Sequence, residues 1–562
     1  MSDFEEGRES SNQWLAETHV VENMPPALEG ENFYTGDRAL CESVSREGAG
    51  WAEGELRDFG ALTGSPEMVE LGFQANANKP EFRSHDRLGN RIDEVRFHTA
   101  YHQLMRVSIE HGLHSSHWTD PRPGAHVARA AKFYMQSQVE AGHGCPITMT
   151  SAAIPALRHQ NELFDRWAPK IMAREYDPRN VTDDEKSGLT IGMAMTEKQG
   201  GSDVRSNSTL AHPVASGGPG EAYELVGHKY FVSAPMCDAF LVLAQAPHGL
   251  SCFLLPRWRP DGLKNAMQIQ RLKDKMGNVS NASSETELRG AIAWMVGEEG
   301  RGVATIIDMV AMTRFDCMVG SSAGMRQAVA QAAHHCANRS AFGKRLDDQP
   351  LMQNVLADLA IEHEAALVMT MRIARALDHR DDPKEDLLVR IGTAVGKYWI
   401  CKRTPGHAYE AMECIGGSGV IEECIMPRLF RESPINAIWE GSGNVQCLDM
   451  LRAMRKNKGS LEVFLEEVGQ ARGGNVRLDA FLDSLEKEFL DEEGLEYRAR
   501  RVVGKMALAF QGALLVQSGP VAVADAFCAS RLAGGSSGWL YGDLPRGVDC
   551  RAIIERARCH SS

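Results

Sequence analysis

Glu440 is the residue of this sequence best placed to do acid–base chemistry. It follows the bulky Trp439 and precedes a flexible Gly-Ser-Gly, within Ile438–Leu448 (IWEGSGNVQCL). A carboxylate shielded from water in such surroundings can act as a general base. The alternative is a carboxylate at the start of a helix that satisfies local N–H groups. Glu440 by itself is better explained as a carboxylate at a helix start, whereas the motifs around it favour a general base.

Two glycine-rich segments could hold a ligand close to the backbone. They are Ala194–Ser206 (AMTEKQGGSDVRS) and Glu413–Glu432 (ECIGGSGVIEECIMPRLFRE). Glycines allow close approach, and adjacent N–H and hydroxyl donors can cradle phosphate or a heteroaromatic edge. A lone Gly-Gly-Ser loop is more often an ordinary turn. Within the first segment, Glu197 and Asp203 are predicted to brace the loop rather than to act as catalysts.

The composition is that of a globular protein with several domains. A chain of 562 residues exceeds one compact core, so two to four domains are expected. The net charge of −14 argues against nucleic-acid binding by the whole surface. The charge is uneven, because Arg452 to Ser562 holds 16 Lys and Arg against 15 Asp and Glu. This part of the chain is therefore nearly neutral, whereas the remainder carries the acidic charge.

The cysteines and histidines suggest neither a disulfide framework nor a metal site. The 13 cysteines are scattered without a C-x-x-C pair, and no HExxH occurs among the 19 histidines. We expect reduced, intracellular thiols and no metal. No apolar run reaches membrane-spanning length, and the N-terminus (MSDFEEGRES) is unlike a signal peptide. These patterns favour the cytoplasm and no membrane partner.

Changes in periodicity along the chain predict a mainly α protein with a central antiparallel β domain. Helical spacing is clear in Ala128–Val139 and Met352–Leu377. Short β-rich runs separated by turns occur between them, in Tyr223–Val226, Lys229–Val232, Phe240–Ala244 and Ser251–Leu255. The predicted domains are an N-terminal arm (1–36), a helical domain (37–187), the β domain (188–300), a helix bundle that carries Glu440 (301–456) and a C-terminal helical extension (457–562).

The order of these domains and the three motifs resemble the acyl-CoA dehydrogenase flavoprotein family, over roughly Asp37–Lys456. Longer runs resemble its AidB-like subclass, which is associated with the adaptive response to alkylation damage. They are LCESVSREGAGW (40–51), CPITMT (145–150), MTEKQGGSDV (195–204), LKDKMGNVSNAS (272–283), MTRFDC (312–317) and IWEGSGNVQCLDMLR (438–452). The helical extension also fits that subclass, where it is associated with DNA binding.

The resemblance implies FAD as cofactor and a role for each matching residue. In the β domain, the flavin contacts would be Met195, Thr196, Gly201, Ser202, Phe231, Val232 and Ser233. A segment that reaches a neighbouring subunit's FAD would contribute Arg339, Phe342 and Gln349, which implies a homotetramer. Gly416 and Gly417 would lie on the adenosine side. Glu440 would be the base, Arg314 would bind substrate or form a structural ion pair, and the remaining contacts would come from Trp439, Gly441, Ser442 and Asn444.

The implied reaction is α,β-dehydrogenation of an acyl thioester, in which a carboxylate removes the α proton and a hydride leaves to the flavin. Several departures from the family pattern put ordinary turnover in doubt. They are Lys198-Gln199, Ser233-Ala234-Pro235, Ala311 and the large Trp439. The sequence therefore predicts weak or specialised dehydrogenase activity together with non-specific binding of double-stranded DNA. The alternative is a fully active dehydrogenase of lipid or amino-acid catabolism without a DNA role.

The DNA hypothesis depends on the C-terminal extension. Its basic cluster Arg498, Arg500, Arg501 and Lys505 follows the acidic stretch Asp479–Glu496. The cluster could bind nucleic acid or could only neutralise that stretch, and the sequence leaves both open. No helix-turn-helix, zinc or RNA-binding signature supports sequence-specific readout.

Overall fold

The N-terminal part of the molecule is helical. The structure, a computed structural model, describes residues 18–491, 493–533 and 540–559, so the first 17 residues of the predicted arm lie outside the described residues. The helices are α1 (Arg38–Arg46), α2 (Glu53–Thr63), α3 (Pro66–Ala77), α4 (Thr99–Glu110), α5 (Ser116–Thr119), α6 (Ala125–Val139), α7 (Gly144–Leu157) and α8 (Asn161–Ile171). Helices α6 and α7 are buried on nearly every face and pack on the bundle.

An antiparallel hairpin of β1 (Glu81–His85) and β2 (Arg91–Arg96) interrupts these helices. The sequence did not predict it, because the strands are rich in charged residues and only Asp93 and Val95 are buried. Its turn is set by Asp86, whose Oδ1 accepts hydrogen bonds from the backbone N–H groups of Leu88 at 2.8 Å and Asn90 at 2.9 Å. The hairpin packs beside strand Met267–Leu272 of the β domain.

The β domain contains seven strands: β3 (Ile191–Ala194), β4 (Leu210–Pro213), β5 (Ala222–Ser233), β6 (Ala239–Ala246), β7 (Gly249–Pro256), β8 (Met267–Leu272) and β9 (Ser283–Val296). Strands β6, β4, β5, β9 and β7 pair in that order, and β7 returns to β6, so the sheet closes on itself. The pairings are antiparallel except β3–β6 and β4–β6. The two predicted runs around Gly227 form one long strand, β5, with register shifts near Val226 and Val232.

Three long helices form the bundle. They are α9 (Gly302–Asn338), α10 (Pro350–Asp378) and α11 (Pro383–Ile415), and the short hairpin β10 (Ser340–Ala341) and β11 (Lys344–Arg345) lies between the first two. The bundle continues with α12 (Met426–Glu432), α13 (Ile435–Ile438) and α14 (Gly443–Lys456). The Asp-Pro start of α11 is favourable, because Asp382 caps the helix and Pro383 occupies its first position.

The C-terminal extension packs along the bundle. Its helices are α15 (Ser460–Gly469), α16 (Val476–Glu488), α17 (Leu495–Ser518), α18 (Val521–Phe527) and α19 (Cys550–Ala557). Helix α17 contacts α10, α11 and α14, and α19 lies on α10. The buried Arg326 of α9 donates hydrogen bonds to the carbonyl oxygens of Ala557 at 2.5 Å and Gly36 at 2.7 Å. The extension is thus part of the molecule's continuous core.

The described residues contain neither a membrane-spanning helix nor a metal-binding cluster. Of the helices they form, none combines the length and hydrophobicity needed to cross a membrane. They also contain no group of three or more His, Cys, Asp or Glu side chains arranged to hold a metal ion. The 13 cysteines are unpaired thiols.

Candidate active site

Glu440 lies on a tight turn between α13 and α14. Its φ is +58° and that of Gly441 is +98°, so two consecutive residues adopt left-handed backbone conformations. This costs glycine little but disfavours a residue with a Cβ by about 1–2 kcal/mol. The turn therefore depends on the contacts that surround it.

Side chains from three helices bind the three consecutive carbonyl oxygens of this turn. Lys397 Nζ of α11 donates to the carbonyl oxygens of Trp439 at 2.7 Å and Gly441 at 2.5 Å. Arg314 Nε of α9 donates to that of Glu440 at 2.9 Å. Gln446 Nε2 of α14 reaches the Glu440 and Gly441 oxygens at 3.1 and 2.9 Å. These donors from α9, α11 and α14 fix the backbone of the turn.

The Glu440 carboxylate has the properties of a general base. Its loss of hydration raises the pKa above the usual value, and the Thr313 hydroxyl, Lys397 and Arg314 oppose the rise. Thr313 Oγ1 donates directly to Glu440 Oε2 at 2.8 Å. A carboxylate of raised pKa in a fixed position can accept a proton from a weakly acidic carbon.

Arg314 forms a structural ion pair. Its Nη1 lies 2.9 Å from Asp449 Oδ2, and only 12% of its side chain is exposed. Arg390 and Arg452 also pair with Asp449, at 2.8 and 3.3 Å. This is the role that the sequence left as the alternative to substrate binding. Its guanidinium also fixes the Glu440 carbonyl, so it acts on the base through the backbone.

The glycine-rich loop after β3 keeps free hydroxyl donors on its outside. Gly201 and Ser202 are exposed, and the hydroxyls of Thr196 and Ser202 have no hydrogen-bond partner among the described residues. Met195 is fixed through its carbonyl oxygen, which accepts from Asn207 Nδ2 at 2.8 Å. Exposed donors on a loop with a fixed backbone fit the phosphate and ring edges of a dinucleotide.

Glu197 braces this loop from within, as predicted. Its Oε1 lies 2.8 Å from Nζ of Lys229, and both side chains are buried. Burial opposes ionisation of Glu197, but Lys229 and the donors of Thr209 and Ser208 outweigh it and lower the pKa to about 2. Asp203 also serves the loop, because its side chain accepts from the Arg205 N–H.

The end of β5 lies beside the glycine-rich loop. Phe231 is 42% exposed, whereas Val232 is buried at 1%, so Val232 offers a ligand only its backbone. Cys145, at the start of α7, has its pKa raised to about 12 by burial. Its thiol also interacts with the Ser233 hydroxyl and with the negative charge of Glu440. Cys145 thus connects the β-domain residues with the base. Ala234 follows with φ +50°, a left-handed conformation that is unfavourable for a residue with a Cβ.

The other predicted flavin residues lie at the far end of the bundle. Arg339 and Gln349 flank the hairpin β10–β11, and Phe342 at its turn is 97% exposed. At a rise of 1.5 Å per residue, the part of α9 between Arg314 and Arg339 spans about 37 Å. Gly416 lies at this same end, because Cys336 Sγ contacts the Cys414 carbonyl oxygen at 3.8 Å. One chain therefore separates the predicted site into two parts.

Gly416 and Gly417 leave open space in front of the backbone. A Cβ built on either would meet nothing within 4 Å, and Gly416 has φ +72°. This arrangement fits the close approach of a planar group that belongs to another molecule.

The first turn of α14 meets the C-terminal extension. Asn444 is exposed, and its Oδ1 accepts a hydrogen bond from Arg500 Nε of α17 at 2.8 Å. Ser442 precedes the helix, and its hydroxyl has no partner within the described part of the chain. Trp439 donates from Nε1 to Asn436 Oδ1 at 2.8 Å, which fixes the indole beside the base.

Sequence reasoning missed the residues that hold the base. Thr313, Lys397, Gln446 and Asp449 all lie in ordinary helical stretches. Gln446 and Asp449 follow Glu440 by six and nine residues, so the local motif could have suggested them. Thr313 precedes the predicted Arg314, whereas no sequence signal marks Lys397.

This fold and this site define an acyl-CoA dehydrogenase-type flavoprotein, an oxidoreductase whose cofactor is FAD. Family comparisons match residues 23–178 to the adaptive response protein AidB N-terminal domain. They match residues 192–291 to the acyl-CoA dehydrogenase middle domain and residues 300–455 to its C-terminal domain. The chain belongs to the acyl-CoA dehydrogenase family.

Two relatives and one solved structure show how far the similarity extends. The chain is 45% identical to AidB of Escherichia coli (strain K12), over 91% of this chain and 94% of that protein. It is 30% identical to acyl-CoA dehydrogenase family member 11 of Caenorhabditis elegans, over 86% and 79%. The crystal structure of Caenorhabditis elegans ACDH-11 in complex with C11-CoA superposes with a TM-score of 0.85 at 26% identity, covering 97% of each chain. The similarity thus includes the C-terminal extension.

Proposed function

We propose that this protein is an AidB-like flavoprotein that oxidises an acyl-CoA or a related thioester, with Glu440 as the proton acceptor. The observation that carries the proposal is the half-buried glutamate with a raised pKa, held on a strained turn by donors from three helices. The bound C11-CoA of the Caenorhabditis elegans relative supports the class of substrate. Bound FAD would accept the hydride from the substrate's β carbon.

The residues of this chain would bind and orient. Thr196, Ser202 and Ser442 would offer their free hydroxyls to FAD, and Phe231 and Ser233 would border its ring. Thr313 would donate its hydrogen bond to the Glu440 carboxylate while the carboxylate is ionised. The indole of Trp439 would exclude water beside the base and limit the width of the substrate cavity, which supports a specialised substrate.

We propose that the flavin site is completed by a second chain, within a homotetramer. The separation of about 37 Å along α9 between Arg314 and Arg339 supports this, because one chain cannot bring both ends to one cofactor. The exposed Phe342 hairpin and the open space before Gly416 would serve the neighbour's FAD. The 13 unpaired cysteines support a reducing compartment, which we propose is the cytoplasm.

An anaerobic titration of the purified holoprotein with a panel of acyl-CoAs tests the enzymatic proposal. Bleaching of the flavin band by one chain length would identify the substrate class. Glu440→Gln should abolish this bleaching and leave FAD bound, whereas the exposed Glu53→Gln should not change it. Normal bleaching by Glu440→Gln would show that another group is the base.

A second candidate function, non-specific DNA binding, is favoured by a surface other than the basic cluster of α17. Of the cluster that the sequence indicated, Arg498, Arg501 and Lys505 all pair with Glu488, at 2.7–2.8 Å. At the C-terminal end of α14, by contrast, Arg455, Lys456 and Lys458 are exposed and form no ion pair with the described residues. We propose this basic run as the phosphate contact. The match of residues 23–178 to the adaptive response protein AidB N-terminal domain brings the response to alkylation damage into the proposal.

Neutralising the basic run tests DNA binding better than a truncation does, because the extension is packed into the core. Replacing all three residues by Gln should weaken binding to duplex DNA and lower the slope of log affinity against log salt by up to about three. The matched control replaces Arg498, Arg501 and Lys505 by Gln. Equal losses in both triple variants would exclude the basic run as the specific contact, and no binding by the native protein would favour a dehydrogenase without a DNA role.

A further inference from the structure

Lys397 has an unusual environment for a buried lysine. It lies in the middle of α11 and is 1% exposed. Its Nζ donates to the carbonyl oxygens of Trp439 and Gly441, on either side of Glu440. Within the described part of the chain, no carboxylate lies within 4.0 Å of this nitrogen. A buried ammonium is costly unless it is paired, so its retention here requires an explanation.

The other buried lysines of the described residues show the ordinary solution. Lys132 pairs with Glu55 at 2.8 Å, Lys186 with Asp238 at 2.6 Å and Lys229 with Glu197 at 2.8 Å. Each has a carboxylate partner, and Lys397 is the exception. Among the described residues, the hydrogen-bond acceptors of Lys397 are the two carbonyls that flank the candidate base.

Two physical effects follow from this placement. First, the two hydrogen bonds fix the peptide groups on both sides of Glu440, which holds its φ at +58°. Second, the ammonium is a nearby positive charge that favours the ionised carboxylate. Removal of the side chain would release the turn and leave Glu440 with less electrostatic support.

Other groups from three helices also face Glu440. Helix α9 contributes Thr313, Arg314 and Cys317, helix α7 contributes Cys145, and helix α14 contributes Asp449 through its pair with Arg314. Burial raises the pKa of both thiols, so they remain neutral. Arg314 has an acidic partner in Asp449, which it shares with Arg390 and Arg452. Lys397 is therefore the cation near Glu440 without an acidic partner of its own.

We propose that Lys397 is a positioning residue for Glu440, which fixes the strained turn through its two flanking carbonyls and places a positive charge beside the carboxylate. The inference rests on the proposed role of Glu440 as proton acceptor. It assigns to a buried lysine the role of orienting the candidate base and of favouring its ionised form.

Infrared difference titration of the holoprotein without substrate tests this directly. The carboxyl band that is lost in Glu440→Gln reports the ionisation of Glu440. In Lys397→Met this band should titrate about one pH unit higher than in the native protein. Lys132→Met, which removes a buried lysine remote from Glu440, should lower thermal stability but leave the titration unchanged.

Lys397→Gln separates the two effects and protects the test against misfolding. It keeps two N–H donors in a similar volume but loses the charge, so the turn should be retained while the band still titrates higher. An unchanged titration in both Lys397 variants would overturn the proposal. This outcome is distinct from failure of the proposed function, which is shown by acyl-CoAs that do not bleach the flavin of the native protein.

Discussion

Thr313 Oγ1 lies 2.8 Å from Glu440 Oε2, so a hydroxyl of α9 is the direct partner of the candidate base. A neutral donor stabilises the carboxylate less than a cation would. The base therefore keeps much of the basicity that its burial confers. The cations Lys397 and Arg314 reach the backbone carbonyls and not the carboxylate itself.

Thr313→Val should move the pH dependence of flavin reduction. The hydroxyl lowers the pKa of Glu440, so its removal raises that pKa further. The ionised base then forms only at higher pH, and the acid limb of the rate profile shifts upward while the alkaline plateau is retained. Stopped-flow reduction by acyl-CoA across pH 5–9 measures this. Thr63→Val, which removes a buried hydroxyl of α2, should leave the profile in place.

Glu197→Gln should reduce the acid sensitivity of the folded protein. The folded-state pKa of about 2 lies below the ordinary 4.5, so this carboxylate stabilises the fold above pH 4.5. The contribution, on the order of 3 kcal/mol, is lost as the pH falls from 4.5 to 2. Urea midpoints of the variant should be lower at pH 7 and should converge with the native values in acid. A constant difference between the two curves would contradict this assignment.

Arg129→Met should destabilise the contact between the N-terminal helices and the bundle. Arg129 and Asp316 are both buried, and Arg129 Nη2 donates to Asp316 Oδ2 at 2.8 Å. Removal of one partner leaves a buried charge, which typically costs about 3–5 kcal/mol. Chemical unfolding followed by circular dichroism measures the loss. Arg57→Met breaks the exposed pair with Glu53 and should cost less than about 1 kcal/mol.

Arg500→Ala should weaken FAD binding modestly. The variant frees the Asn444 amide, which is then no longer oriented by α17. A hydrogen bond of this kind contributes about 1 kcal/mol, so we expect a roughly fivefold higher dissociation constant. Flavin fluorescence during dilution measures it. Arg501→Ala, on the same helix but paired with Glu488, should bind FAD as the native protein does.

The sequence predicted the features that depend on local motifs. The order of domains and the family were confirmed, because glycine loops and helical periodicity are visible along the chain. The hairpin β1–β2 was missed because its strands lack an apolar alternation. Lys397 was missed for a different reason. It lies 43 residues before Glu440 in an ordinary helix, and only the packing of α11 beside the turn brings them together.

The hydrogen bonds of Arg326 have a consequence for synthesis of the chain. Its guanidinium needs the carbonyl oxygen of Ala557, which leaves the ribosome 231 residues later. At about 5–20 residues per second, this delay lasts roughly 10–50 s. During that time the buried face of α9 lacks its last acceptor, and the apolar face of α10 lacks the cover of α19. The nascent bundle therefore exposes apolar surface until α19 has been made, and a chain that ends before α19 should be prone to aggregation.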